Sequence, residues 1–565
     1  MKKKTDINAL KAIPLGGHGE IGKNAWIFEQ NDEIIIVDFG MILPPQDLTG
    51  VDLILPSTNY LLENQEKIKG LILTSAHDDF CGGAFYLLEK VKIPKIWGSK
   101  LAIQSVKKSL GKKTILPETE ELTSRKQFQI GNNFNITSIQ NTSVIPDTYG
   151  LFIKTTSGNV LYTGAFKVDQ TPYDEVKFDY FAYSEAGEQT VDLLISDSSN
   201  VESVGYTQSE RFIIKRFNEL LDSDSRVIVV TYPNGLHKFQ ILLDLASKKN
   251  RKVCISGEHL NKKIDAAFES GFLKFDKKIL IQEKDLAGMN DKEVLVILSG
   301  KCGDFLKGLI EIANEQHPSV KLKQKDIVVV SANPPPGTAR ILAHTVDQLF
   351  VQKVQVVGGK GQGVHVSGHS SQEECKFIVT ITKPRSFIPS FGEERQMVVY
   401  GKHSENMGVN HNDIHILKNG EVVQLRDQVA RTAGRISAPA IYYNQAKGLD
   451  IDELTMKERQ SLSDEGTITI ALAVDEDRNI IAGPEILAEA CSFAKGKDWR
   501  AFCMGTSQFV TQAIADALKK DQKDLLSLKN IVRDTVNKTV IELVGKRPLI
   551  NVSIQEIVLE KAKKG

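Results

Sequence analysis

The chain has 565 residues, too many for one ordinary hydrophobic core, and two to four domains are expected. Hydrophobic residues make up 41% and charged residues 25%, the composition of a soluble globular protein. Lys+Arg and Asp+Glu are both 71, so the net charge is zero; this excludes a general basic coat for nucleic acid but leaves room for a local basic groove. The longest apolar runs, such as Val294-Leu295-Val296-Ile297-Leu298, are strand-length and far short of a membrane span. The basic start Lys2-Lys3-Lys4 leads into Thr5-Asp6 with no apolar segment behind it and is not read as a signal peptide. Cys81, Cys254, Cys302, Cys375, Cys491 and Cys503 are scattered without a C-x-x-C spacing, which points to reduced thiols and a cytoplasmic protein.

In chain order, Leu15-Gly16-Gly17-His18-Gly19-Glu20 is a glycine-rich loop and Ile34-Ile35-Ile36-Val37-Asp38 a buried strand ending in a carboxylate. The strand-like Gly70-Leu71-Ile72-Leu73 leads through Thr74-Ser75-Ala76-His77-Asp78-Asp79-Phe80-Cys81-Gly82-Gly83 into a helix-like run at Ala84-Phe85-Tyr86-Leu87-Leu88. Asn159-Val160-Leu161-Tyr162-Thr163 and Leu193-Leu194-Ile195-Ser196-Asp197 read as strands ending in polar residues. Residues 211–365 read as a second α/β unit, with strands at 226–230, 252–255, 294–297, 326–330 and 354–357 and helical segments between most of them, the alternation of a parallel sheet. Residues 366–450 return to short strands and helices. From about 451 a charged helix, the strand Thr467-Ile468-Thr469-Ile470-Ala471-Leu472-Ala473-Val474, a helix at 507–522, a helix-like stretch at 528–535 and a last strand near 549–558 form a separate small α/β domain.

Several segments resemble ribonuclease J, a β-CASP member of the metallo-β-lactamase superfamily. They are Gly16-Gly17-His18-Gly19-Glu20-Ile21-Gly22-Lys23-Asn24, Ile145-Pro146-Asp147, Thr163-Gly164-Ala165-Phe166-Lys167-Val168-Asp169-Gln170-Thr171-Pro172, Ser196-Asp197-Ser198-Ser199-Asn200, His365-Val366-Ser367-Gly368-His369-Ser370-Ser371-Gln372-Glu373-Glu374 and Phe387-Ile388-Pro389-Ser390-Phe391-Gly392-Glu393. The resemblance implies a metallo-β-lactamase αββα sandwich over 1–210 and 366–450, an inserted β-CASP α/β domain over 211–365, and a linker with a C-terminal α/β oligomerisation domain over 451–565. It further implies a two-metal mechanism on RNA, in which paired zinc or manganese ions clamp a scissile phosphate and a bridging hydroxide attacks phosphorus.

The loop that in such hydrolases reads H-x-H-x-D-H carries Ser75, His77, Asp79 and Phe80 here, and the three further ligand positions carry Ser143, Ala165 and Phe391. A one-residue shift would put Thr142 in place of Ser143, equally without an imidazole. Only His77 and Asp79 survive as metal-ligand types, one for each ion of the pair, and the bridging carboxylate is replaced by Ala165. No metal is therefore expected at stoichiometric level, and His77 and Asp79 are expected to hydrogen-bond locally. Asp78, Asp147, Cys81 and Glu393 lie close enough in sequence to be weighed as replacement ligands, but a rebuilt site needs at least three convergent donors.

The segment His365, Val366, Ser367, Gly368, His369, Ser370 is the expected RNA contact, offering backbone N–H groups and hydroxyls to phosphate at what reads as a helix start. His369 and Asp197 are the candidate catalytic side chains, and Asp197 otherwise orients the adjacent loop. Gly300-Lys301-Cys302-Gly303-Asp304 stands where the family has a loop near the RNA 5′ end; the altered residues argue against 5′-phosphate sensing, while Lys301 remains a cation for phosphate. His18, His259, His317 and His344 read as surface or packing residues, and His411-x-x-x-His415, although at helical spacing, is not read as a metal pair. The leading expectation is a barely active or non-catalytic subunit, homo- or hetero-oligomeric, acting on RNA beside an active ribonuclease J paralogue and away from membranes. An active 5′ exoribonuclease and endoribonuclease with a rebuilt metal site and a stand-alone RNA-binding module are the rivals.

Overall fold

The computed structural model describes residues 9–558 other than 46, 47, 49, 113, 360, 523 and 546; the basic start at Lys2-Lys3-Lys4 lies outside them. The chain divides into two compact units, Met1–Leu449 and Asp450–Gly565.

In the first unit an eight-stranded sheet runs in the order Val429–Arg435, Glu421–Arg426, Leu10–Gly16, Ala25–Gln30, Glu33–Val37, Ile68–Leu73, Lys95–Gly98, Glu118–Glu121. A six-stranded sheet runs Ser386–Ser390, Leu193–Asp197, Gly158–Tyr162, Thr148–Thr155, Phe134–Asn141, Gln127–Ile130. Alternate residues of both sheets share one core: Trp26, Phe28, Ile35, Val37 and Ile72 meet Ile136, Leu151, Ile153, Tyr162, Ile195 and Ile388. Central strands such as Glu33–Val37 and Leu193–Asp197 are buried on both faces, which is why they read as continuous apolar runs, whereas the edge strands Glu118–Glu121 and Val429–Arg435 are largely exposed. This is the metallo-β-lactamase sandwich.

The chain leaves the six-stranded sheet after Leu193–Asp197 and returns to it as Ser386–Ser390, paired in parallel with Asp197 opposite Ser390. Between them lies an all-parallel sheet in the order Leu280–Ile281, Lys252–Ser256, Val294–Leu298, Val227–Val230, Ile327–Val330, Gln355–Gly358. The return strand beside Asp197 brings residues 365–371 and 391 back to the ends of the sandwich strands. His411 starts a single 3-10 turn, His411–Asp413, and the His415 N–H donates to the carbonyl of Phe387, so the helical spacing of the two histidines corresponds to no helix.

In the second unit Thr467–Val474 is the central strand, antiparallel to Ile480–Glu489 and parallel to Leu549–Glu556. Ile468, Ile470, Leu472 and Val474 face the helices Gly496–Lys519 and Leu525–Val544. The strand Ile480–Glu489 is not read from sequence because Gly483-Pro484 looks like a turn; an irregular register opposite Ala471 and Ala473 absorbs it. The helix expected over 507–522 starts earlier, at Gly496, because Trp499 and Phe502 stack at 5.0 Å and pack on this core. Among the described residues no helix is long and apolar enough to cross a membrane.

Because the two units have separate cores, Ile470→Ala should lower the stability of residues 450–565 by about 2–5 kcal/mol, the cost of a large-to-Ala change in a closed core. Urea unfolding followed by hydrogen exchange of the two units should show only the C-terminal transition moving.

Candidate functional site

The loop 74–83 is rooted by a buried carboxylate. Asp38, at the end of Glu33–Val37, accepts the Thr74 N–H at 2.8 Å, the Thr74 hydroxyl at 2.8 Å and the Tyr162 hydroxyl at 2.6 Å. Burial pushes the Asp38 carboxyl up to about 7 against the pull of these donors. The sequence marks Asp38 as a strand-end carboxylate; its partners come from two sheets and could not be read from it.

His77 caps the short helix Asp78–Cys81, its Nδ1 accepting the Asp79 N–H at 3.2 Å. Burial first, then the positive charge of His369, holds the His77 imidazole down at about 3. Burial also pushes the Asp79 carboxyl up to about 7. Ser75 Oγ accepts the His77 N–H at 3.2 Å and lies 3.3 Å from Thr148 Oγ1.

The remaining positions that the resemblance assigns to ligands are apolar or turned to other work. Phe80 and Phe391 meet edge to face at 5.2 Å, and Phe391 meets Tyr162 at 5.5 Å. Phe80 is 0% and Phe391 2% exposed, and Ala165 lies in the same core. Phe391 has φ 56°, a left-handed backbone unusual for a bulky residue. Ser143 Oγ donates to the carbonyl of Gly368 at 3.0 Å, and the neighbouring Thr142 hydroxyl donates to the carbonyl of Lys167. Among the described residues no group of three or more His, Cys, Asp or Glu is arranged to hold a metal ion.

Of the candidate replacement ligands, the three carboxylates are committed to other partners. Asp78 pairs with Lys263 at 2.8 Å and His259 at 2.9 Å. Asp147 accepts the Leu101 N–H and the Tyr149 hydroxyl, each at 3.0 Å. Burial pushes the Cys81 thiol up to about 12. Glu393 caps the helix Glu394–Asn406 and pairs with Arg395 at 3.0 Å.

Asp197 and His369 are brought together: Asp197 Oδ2 lies 2.6 Å from His369 Nδ1, while Oδ1 accepts the Ser199 N–H and hydroxyl. Burial disfavours a charged His369, but the Asp197 carboxylate outweighs it and holds the imidazole above its ordinary value. The His369 and His77 rings lie 6.1 Å apart.

In the loop 365–370, Val366, Gly368 and Ser370 are buried, while His365, Ser367 and His369 are half-buried. The helix start beyond it, Gln372–Thr382, is not open to an outside anion. Glu374 supplies the anion itself, accepting the N–H groups of Ser371 and Thr207 on one oxygen and of Val168 on the other. His365 Nδ1 lies 3.3 Å from the buried Lys238 ammonium. Lys301 is not a free cation either, because its Nζ pairs with Asp52 at 2.6 Å.

The other histidines divide. His18 is a packing residue, edge-on to Trp26 at 5.2 Å, with Nε2 3.1 Å from Ser390 Oγ. His317 accepts the Val320 N–H, and His344 lies 3.2 Å from Gln348. His259, read as a surface or packing residue, places Nε2 2.9 Å from the Asp78 carboxylate; no sequence spacing links positions this far apart.

Paired sheets enclosing this loop, with a parallel α/β domain inserted ahead of the His365–Ser370 segment, define a β-CASP protein of the metallo-β-lactamase fold. Family models agree. Residues 224–349 match the ribonuclease J β-CASP domain, 354–417 the Zn-dependent metallo-hydrolase RNA specificity domain, and 454–557 the ribonuclease J C-terminal domain. The chain is 37% identical over 489 residues to ribonuclease J of Synechocystis sp., covering 86% of this chain and 76% of that one. It is 30% identical over 564 residues to ribonuclease J2 of Bacillus subtilis, covering 99% and 100%. A crystal structure of a protein of unknown function from Enterococcus faecalis shares the fold, with a TM-score of 0.52 and 14% identity over 74% of this chain and all of that one. The chain belongs to the ribonuclease J family.

The touching rings predict non-additive energetics. Phe80→Ala and Phe391→Ala should each destabilise the fold by about 3–5 kcal/mol, and the double variant should fall short of the sum by about 0.5–1.5 kcal/mol, the worth of an aromatic pair. Chemical denaturation of the four proteins measures it.

Burial holds His18 near 3, below its unfolded value, so the unfolded chain takes up this proton first on acidification. The contribution of His18 is therefore complete above the unfolded value of 6.5 and is lost as the pH falls toward 3. His18→Gln should flatten the decline of stability between pH 6 and pH 4 relative to the wild type, measured by urea midpoints across that range.

Proposed function

We propose that this chain is a ribonuclease J-family RNA-processing protein whose dinuclear metal site is degenerate, and that it serves as a non-catalytic or barely active subunit beside an active paralogue. The observation that carries the reading is the aromatic contact of Phe80 with Phe391, backed by Tyr162 and Ala165, at positions where the family resemblance calls for imidazoles and a bridging carboxylate. A pair of zinc or manganese ions does not fit this donor set. His77 Nδ1 is occupied by a backbone N–H, and a dication beside two phenyl rings would lose hydration without gaining ligands. A rebuilt site would draw on Asp78, Asp147, Glu393 or Cys81; the three carboxylates are bonded elsewhere, and burial disfavours the Cys81 thiolate a metal would need. No hydrolytic step through metal is therefore derived for this chain.

RNA remains the proposed ligand. The half-buried His365, Ser367 and His369 are the groups of the loop that reach solvent, so phosphate contact falls to them rather than to the helix start. With a net charge of zero, binding is weak and salt-sensitive. The proposed assembly is a homo- or hetero-oligomer in the cytoplasm in which residues 451–565 contribute contacts, and a subunit without catalysis acts by positioning RNA or stabilising its partner.

Elemental analysis of the purified protein should find no stoichiometric transition metal; close to two ions per chain would overturn the proposal. Ser75→His, Phe80→His, Ser143→His, Ala165→Asp and Phe391→His together should restore measurable metal binding, read by calorimetry, with activity lagging behind because the surrounding hydrogen bonds no longer match. Decay of 5′-monophosphorylated RNA with Mn²⁺ should be near background for the chain alone and change when a catalytically intact homologue is added. Sedimentation of the full chain and of residues 1–450 tests the subunit role: a monomer that also ignores the homologue would remove it.

A further inference from the structure

The Asp78 carboxylate, between the two surviving ligand types, is held from the inserted domain, while its carbonyl accepts the Met41 N–H at 3.0 Å from the sandwich. Lys263 Nζ reaches one carboxylate oxygen at 2.8 Å and His259 Nε2 the other at 2.9 Å, both from the helix Glu258–Glu269. Lys263 also donates to the carbonyl of Ala76, and Asn234, on the loop after Val227–Val230, accepts the Asp78 N–H at 3.3 Å. The helix itself rests on the turn at Gly303, where an added Cβ would lie 2.9 Å from the His259 ring.

Asp78 and Lys263 are both buried. Intact, each satisfies the other; parted, each leaves a charge out of water. Another charged crossing from the same helix, Lys108 to Glu269, lies at the surface with 32% and 46% of the side chains exposed, where water replaces either partner at little cost.

We propose that Asp78, Lys263 and His259 form a latch that makes the loop 74–83 and the helix Glu258–Glu269 open and close as one unit. The inserted domain can then move away from the sandwich only by shifting the loop that carries His77 and Asp79 or by breaking these contacts, while the Asp38–Thr74 bonds keep the root of the loop on the sandwich. Asp78 and Lys263 act as positioning residues. The inference is independent of the reading of the metal site, since it concerns the joint motion of two segments and not what the loop binds.

Hydrogen exchange of the full-length protein, followed by mass spectrometry under conditions where each opening leads to exchange, tests it in metal-free buffer. In the wild type, peptides covering 74–83 and 258–269 should share one opening rate. His259→Leu, which keeps the buried pair, should raise that rate in both segments by the same factor, roughly threefold, and Lys263→Met by roughly tenfold with the two rates separating. Lys108→Met should leave both rates unchanged, and Lys263→Arg should keep them equal. Unequal rates in the wild type, or a rate change in 258–269 that leaves 74–83 untouched in His259→Leu, would overturn the latch. His259→Leu keeps the proposal open to failure even if Lys263→Met does not fold.

Discussion

The buried carboxylate of Asp38 is the constraint on which the site is built. It ends a central strand of the eight-stranded sheet, takes both the N–H and the hydroxyl of Thr74 at the root of the loop, and takes the Tyr162 hydroxyl from the opposing sheet. One acceptor group thus ties together the two layers of the sandwich and the start of the loop. A carboxylate at 0% exposure is costly to bury, and three donors offset that cost only in one arrangement of strands. The ring of Tyr162, fixed by this bond, becomes the wall against which Phe391 packs.

From there the loop's side chains pack rather than converge on a common point. The backbone geometry expected of a ligand loop persists, with His77 capping a short helix and Phe391 held at positive φ, but the side chains fill space rather than bind. Positive φ at an aromatic residue costs energy, and the neighbouring turn at Gly17, whose added Cβ would lie 3.2 Å from the Phe391 ring, closes around it.

The same economy governs the 365–370 loop. Its conformation is fixed by groups it could otherwise offer to a ligand: the carbonyl of Gly368 to Ser143, the carbonyl of His369 to Asn200 and Thr207, and the helix start beyond it to Glu374. Asp197 bonds His369 Nδ1, and this orients the imidazole beside the His77 ring.

The sequence by itself determined the alternating strands and helices of the inserted domain and the central sandwich strands ending at Val37, Leu73, Tyr162 and Asp197, because long apolar runs need only local periodicity to be recognised, while polar edge strands such as Glu118–Glu121 and Val429–Arg435 carry no such pattern. It also showed that Phe80, Ala165 and Phe391, at positions the resemblance assigns to ligands, carry no donor whatever their surroundings. Tertiary structure decided everything that depends on partners distant along the chain. Lys301 and His259 looked free and are bonded to Asp52 and Asp78, and the start of the helix at Gln372 looked open to an anion until Glu374 proved to receive the N–H groups of Val168 and Thr207. The strand Ile480–Glu489 hid behind Gly483-Pro484 because a turn signal is local, whereas the neighbouring strand that accommodates it is not. Local pattern specifies elements; which buried charge meets which is fixed only when the sheets and the inserted domain close on one another, since a desolvated charge accepts few partners.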